Sequence, residues 1–186
     1  MSFFFMDCLT WDGELRELEP GSPISTLAPG AFNRGQRIPT AVPRPIHWNL
    51  SPGKGELPVY FDSPALVVRK DFAEALSRCG VDNIDYYEVV LHDVASGQEW
   101  SDYLIANVIG DVDAIDMKRS EIAEGSPPTT AVLFENIVVD DSKARGFKLF
   151  RPRHKHSALL VSDELRRCLA AGQFANLEFT RPEDHA

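Results

Sequence analysis

The chain has 186 residues, 44% hydrophobic and 25% charged, an ordinary globular composition that excludes wholesale disorder. At this length folding hides roughly 70% of the unfolded chain's surface, enough for one self-sufficient core. Nineteen Lys and Arg against 28 Asp and Glu leave a net charge of −9, which excludes a nucleic acid as partner for the whole surface and points to a basic protein instead.

Met1-Ser2-Phe3-Phe4-Phe5-Met6-Asp7 is apolar but carries no Lys or Arg and meets Asp7 at once. It reads as a strand rather than a signal peptide, and no stretch reaches the ~20 apolar residues that cross a bilayer, so the expected place is the cytoplasm, off the membrane. Residues 1–57 then become crowded with turn formers, Pro20 through Gly55, whose fixed φ angles and missing donors forbid long helices. They predict a surface excursion anchored by Trp11, Leu27, Phe32 and a short strand at Ile46–Leu50. Asp12, Glu14, Glu17 and Glu19 make its first part acidic.

Residues 58–110 read as strand, helix and two long strands. Ile84–His92 and Trp100–Ile109 are rich in β-branched and aromatic residues, with Gly97 in the turn between them. An acidic stretch follows at 111–124, then a Gly/Ser/Pro loop at 125–128, a strand near Ala131–Val139 and a basic stretch at 143–155. Cys8, Cys79 and Cys168 are odd in number and lack Cys-x-x-Cys spacing. They read as reduced, mostly buried thiols rather than a disulfide framework or a zinc site.

A pattern recurs at a spacing of 93 residues. Ala65-Leu66-Val67-Val68, then Phe72, Ala75, Leu76, then Ile84 and Tyr86, matches Ala158-Leu159-Leu160-Val161, then Leu165, Cys168, Leu169, then Leu177 and Phe179. Each copy is an apolar strand, a helix with i, i+3, i+4 apolar spacing and an alternating strand. Ser162 is a good N-cap with Asp163 and Glu164 in the first turn, and Gly80 and Gly172 sit where a helix ends in the left-handed conformation.

The run Tyr103-Leu104-Ile105-Ala106-Asn107-Val108-Ile109-Gly110-Asp111-Val112-Asp113-Ala114-Ile115-Asp116, with Ser120 beyond it, resembles the central motif of the eleventh immunity-protein family, formerly a domain of unknown function. Leu149-Phe150-Arg151, then Leu159-Leu160-Val161-Ser162-Asp163-Glu164-Leu165 with a final helix and strand, and the earlier Val67-Val68 strand with Phe72, Leu76 and Gly80, are similar as well. The resemblance covers roughly 44–180; the Pro-rich N-terminal part and Phe174-Ala175-Asn176 match only loosely. It implies a bacterial protein of polymorphic-toxin and interbacterial competition systems, one that binds and neutralises a cognate toxin without catalysis or cofactor.

Motifs of chemistry are sparse: Gly-x-Ser-x-Gly, the P-loop, Gly-x-Gly-x-x-Gly and His-Glu-x-x-His are all absent. His154 and His156 share one strand face, but Arg153 and Lys155 beside them favour a solvated basic face over a metal pair. His92 ends a strand and reads as structural. Asp111, Asp113 and Asp116 are the sharpest acidic group, open to turn bonding, to partner binding, or to holding Mg²⁺ in a small metal-dependent hydrolase. Asn107, inside an apolar run, is expected to clamp backbone. Lys143, Arg145, Lys148, Arg151, Arg153 and Lys155 form a basic run that reads as a solvated edge strand, leaving −15 for the rest of the chain.

The sequence therefore predicts a single α+β domain over 1–186. Residues 1–57 supply a strand and a surface wrap; 58–180 form a mostly antiparallel core carrying two helices; 181–186 are a tail. Its expected partner is a basic, cytoplasm-acting toxin such as a nuclease. The toxin would meet the acidic clusters Asp12, Glu14, Glu17, Glu19 and Asp111, Asp113, Asp116, Glu121, Glu124, with Trp11 and Trp100 as anchors. The hydrolase and a non-catalytic adaptor are the alternatives.

Overall fold

In the computed structural model, which describes residues 2–8, 15–25, 27–28, 30–127, 131–172, 174 and 176–184, the chain opens with strand β1 (Phe3–Cys8). It makes a 3₁₀ turn at Ala31–Asn33 and enters β2 (Ile46–Asn49). Strands β3 (Tyr60–Phe61) and β4 (Val67–Arg69) lead into helix α1 (Lys70–Arg78), then the long hairpin β5 (Ile84–Asp93) and β6 (Gln98–Val108). Short strands β7 (Asp111–Val112), β8 (Glu121–Ile122) and β9 (Phe134–Asn136) precede β10 (Leu149–Pro152), β11 (Leu160–Ser162), helix α2 (Asp163–Ala170) and β12 (Leu177–Thr180). The class is α+β, as expected.

The strands form two five-stranded sheets rather than one, in the orders β12-β1-β11-β10-β7 and β2-β5-β6-β4-β3, plus the ribbon β8-β9. Pairing is antiparallel except at β10–β7 and β2–β5. The 93-residue pattern is real in three dimensions. In one unit β6 pairs antiparallel with both β4 and β5 and so lies between them. In the other, β1 pairs antiparallel with both β11 and β12. Each is a strand–helix–strand with a foreign strand inserted at its centre, and the N-terminus supplies the second insert.

Strict alternation along the strands explains why two sheets form: both faces of each are apolar. Leu66, Val68, Ala106, Val108, Met6, Leu159 and Val161 join Phe72, Leu76, Leu165 and Leu169 of the helices in one shared core. The intervening residues point outward. Val67, Val89, Leu91, Tyr103 and Ile105 are covered by Leu18, Ile24 and Phe32 of the Pro-rich segment. Phe3, Phe5, Phe150 and Leu160 are covered by Val112, Ile115, Val132, Phe134 and Ile137. The expected wrap thus has a counterpart made from residues 112–147. Trp11 lies outside the described residues.

Some expectations change. The strand near Ala131–Val139 shrinks to β9, because this covering layer satisfies its backbone through side chains: Ser126 Oγ accepts from Leu133 N (2.8 Å) and Ser120 Oγ from Val138 N (2.9 Å). Gly80 is left-handed (φ 80°), but Gly172 is not; there a Cβ would lie 2.6 Å from the Phe174 ring, so close approach demands glycine. Ser162 caps α2 as read, accepting from Leu165 N at 3.2 Å.

The cysteine reading also fails for two of three. Cys79, half-buried just past α1, is disulfide-bonded to Cys168, exposed on α2, with Cα atoms 5.9 Å apart. Helical periodicity placed both beside apolar faces; the packing of α1 on α2 brings them together across 89 residues. Cys8 remains free, its thiol pushed up mainly by burial.

Candidate functional site

The acidic run and the basic run, separate in sequence, meet in one structure. β7 lies parallel to β10 with Asp111 opposite Arg151, so β10 is an interior strand and not a solvated edge. Asp111, with its side chain 21% exposed, accepts from Arg153 Nε (3.3 Å) and faces His156 Nε2 at 3.1 Å. Asp113 lies 3.3 Å from His154 Nε2 and 3.8 Å from Lys143 Nζ. The two histidines therefore engage carboxylates, where sequence favoured a solvated basic face. Asp116 does turn work, its Oδ1 accepting from Lys118 N (3.0 Å) and Arg119 N (3.3 Å).

Tight backbone contact holds β7 in place. Gly110 N donates to Gly35 O at 2.9 Å, and a Cβ on Gly35 (φ 69°) would lie 2.7 Å from Asp111 N. The wrap thus docks directly on the acidic strand. Asn107, fully buried in β6, reaches the same segment by donating Nδ2–H to Gln36 O at 2.9 Å, the expected backbone clamp; its Oδ1 has no partner.

Arg151 is the residue that sequence reasoning misplaced most. It was counted in a solvated run yet is 1% exposed. Its guanidinium donates to His156 O (2.7 Å) and to Asn33 Oδ1 (2.9 Å), tying β10 to the 3₁₀ turn of the wrap. Burial pushes its pKa down to about 10, opposed by the charge of Asp62. Asn33 in turn donates to Pro64 O at 3.0 Å. The available signal was its position: Arg151 follows Leu149 and Phe150 in an apolar strand, two residues from the inward-facing Leu149. At the far end of the second sheet, His92 sits between Glu99 Oε1 (3.0 Å) and His47 Nδ1 (2.7 Å), linking β2 to the hairpin. This agrees with the structural reading of His92, with His47 as the partner that sequence missed.

The other candidate residues are not gathered. Glu17 is exposed and Glu19 half-buried on the wrap, whereas Glu121 and Glu124 are exposed on the other covering layer. None of these four is in an ion pair among the described residues, unlike Asp111 and Asp113. Trp100 is half-buried against the outer-face core of the second sheet. Asp12 and Glu14, like Trp11, lie outside the described residues. Among the described residues no group of three or more His, Cys, Asp or Glu is placed to hold a metal ion, and no helix is long and apolar enough to cross a membrane.

These features define a duplicated α+β scaffold in which the sharpest polar clusters hold its layers together, with unpaired acids left on both covers. The chain belongs to the immunity protein family (Imm11), whose family model matches residues 6–184. No curated protein matches it.

Proposed function

We propose that this protein binds a cognate toxin with a basic face and neutralises it by occupying the surface that holds the toxin's substrate, without catalysis of its own. The observation that carries the reading is the family match over almost the whole chain. Charge supports the choice of partner. The net charge is −9, and among the described residues Glu17, Glu19, Glu121 and Glu124 enter no internal ion pair. A toxin that attacks nucleic acid must itself be basic, and opposite charge accelerates encounter with an acidic inhibitor.

A nuclease target places the encounter in the cytoplasm. The Cys79–Cys168 bond pulls the other way, since disulfides are the habit of oxidising compartments. Fractionation of the producing strain separates the two, and recovery of the protein from the periplasm would remove the nuclease preference. The binding itself is tested with the cognate toxin domain recovered by pull-down from the producing strain. Glu17, Glu19, Glu121 and Glu124 changed together to Gln should slow association and flatten its dependence on salt between ~50 and ~500 mM, with dissociation less affected. An association rate indifferent to both would leave acidity as a solubility trait.

A further inference from the structure

We propose that the Cys79–Cys168 disulfide is a thiol-exchange site, opened by a small thiol of the glutathione class, and that its redox state sets how firmly the two repeated units are joined. Three observations carry this. The bond spans the two units, linking the end of α1 to the exposed side of α2, and is the only disulfide between them among the described residues. Its two residues are unequally exposed: Cys168 is exposed and Cys79 half-buried. A cation is stationed at the half-buried end, where Lys148 Nζ lies 2.9 Å from Cys79 O and 2.8 Å from Glu164 Oε1.

The inequality fixes the direction of attack. An incoming thiolate reaches Sγ of Cys168, forms a mixed disulfide there and expels Cys79 as the thiolate. The negative end of α1 would oppose charge at that position. Lys148, held on the carbonyl of Cys79, offsets it, and a neighbouring ammonium favours a thiolate. A second thiolate then attacks the external sulfur of the mixed disulfide and releases Cys168. Two molecules of the small thiol have become one disulfide, and the protein has gained two electrons and, on protonation, two thiols.

The tie is not part of the repeated pattern. At the 93-residue offset Cys79 corresponds to Gly172 and Cys168 to Ala75, so neither unit carries both halves. The bond closes a loop of 89 residues, long enough for its loss to matter in the unfolded chain. Buried contacts of Phe72, Leu76, Leu165 and Leu169 remain without it, so opening should loosen the fold and not abolish it.

The test uses the full chain, equilibrated across ratios of reduced to oxidised glutathione and then alkylated under denaturing conditions. Mass spectrometry should show Cys8 alone labelled at oxidising ratios and all three cysteines labelled at reducing ones. A mixed disulfide should be trapped on Cys168 rather than Cys79. Melting temperature should fall by roughly 5–15 °C on reduction, given typical disulfide contributions and the usual slope for a chain of this size. Cys168→Ser should melt like the reduced form and be indifferent to glutathione. Lys148→Met should slow opening severalfold while the oxidised protein keeps its circular dichroism. A bond that persists in excess reduced glutathione, that never forms in oxidised glutathione, or whose opening rate ignores Lys148→Met would overturn the proposal. So would a melting temperature unmoved by reduction.

Discussion

The two strand–helix–strand units share one topology but are held in different ways. In the first, α1 begins at Arg69, which offers no side-chain cap and instead pairs with Asp71 two residues on at 2.8 Å. In the second, α2 begins at Ser162, which caps it, with Asp163 and Glu164 in the first turn. Outboard of β4 lies β3, carrying the buried Tyr60, whose hydroxyl has no partner; outboard of β11 lies β10, carrying the buried, hydrogen-bonded Arg151. The difference teaches that duplication of a frame does not duplicate its polar wiring. Apolar positions recur because each unit must bury the same faces. Polar ones diverge because each unit meets a different covering layer.

The comparison can be broken first at β10. Arg151→Ala should cost about 3–5 kcal/mol by urea denaturation, since it leaves a cavity and strips partners from His156 O and Asn33 Oδ1. A loss below about 1 kcal/mol would mean that this cross-link is not what joins sheet and wrap. The apolar frame is tested next, at equivalent positions of the repeat. Leu76→Ala and Leu169→Ala, each 1% exposed in wild type, should each cost about 2–5 kcal/mol and agree within about 1 kcal/mol. A gross mismatch in the unfolding free energies would show that the two helices are not energetic counterparts.

The caps give a smaller, signed effect. Ser162→Ala should destabilise by about 1 kcal/mol, while Arg69→Ser, which installs the missing cap, should stabilise by up to about 1 kcal/mol, because the exposed Arg69–Asp71 pair that it removes contributes little. Opposite shifts in thermal midpoint would confirm that asymmetry. Smallest of all, Tyr60→Phe should be neutral or slightly stabilising, within about 1 kcal/mol, since it deletes a buried hydroxyl that makes no hydrogen bond. A clear loss of stability would reveal a partner for that oxygen.

Much of the frame was legible because its signals are local. The apolar run that opens the chain, the β-branched and aromatic run of Ile84–His92, the turn at Gly97, the cap at Ser162 and the apolar spacing of both helices all act within a few residues, and the structure has each of them. The candidate site was not legible in the same way. Asp111 and Asp113 read as an exposed acidic group because the residues that engage them, Lys143, Arg153, His154 and His156, come 30 to 45 positions later and carried a separate reading of their own. Cys79 and Cys168 misled for the same reason, since spacing along a chain says nothing of which helix surfaces meet.

By itself, then, the sequence determined the α+β class, the two repeated units, the surface wrap of the Pro-rich segment and membership of an immunity-protein family. These follow from periodicity, propensity and motif, which depend on each residue and its near neighbours. Only the tertiary structure decided that there are two sheets and not one, that β1 enters the second unit as its central strand, that Arg151 is buried, and that Asp111 and Asp113 are ion-paired while, among the described residues, Glu17, Glu19, Glu121 and Glu124 are not. Each of these depends on which distant segments share a face. That choice is made by the whole chain burying its apolar surfaces at once, and no local pattern records it.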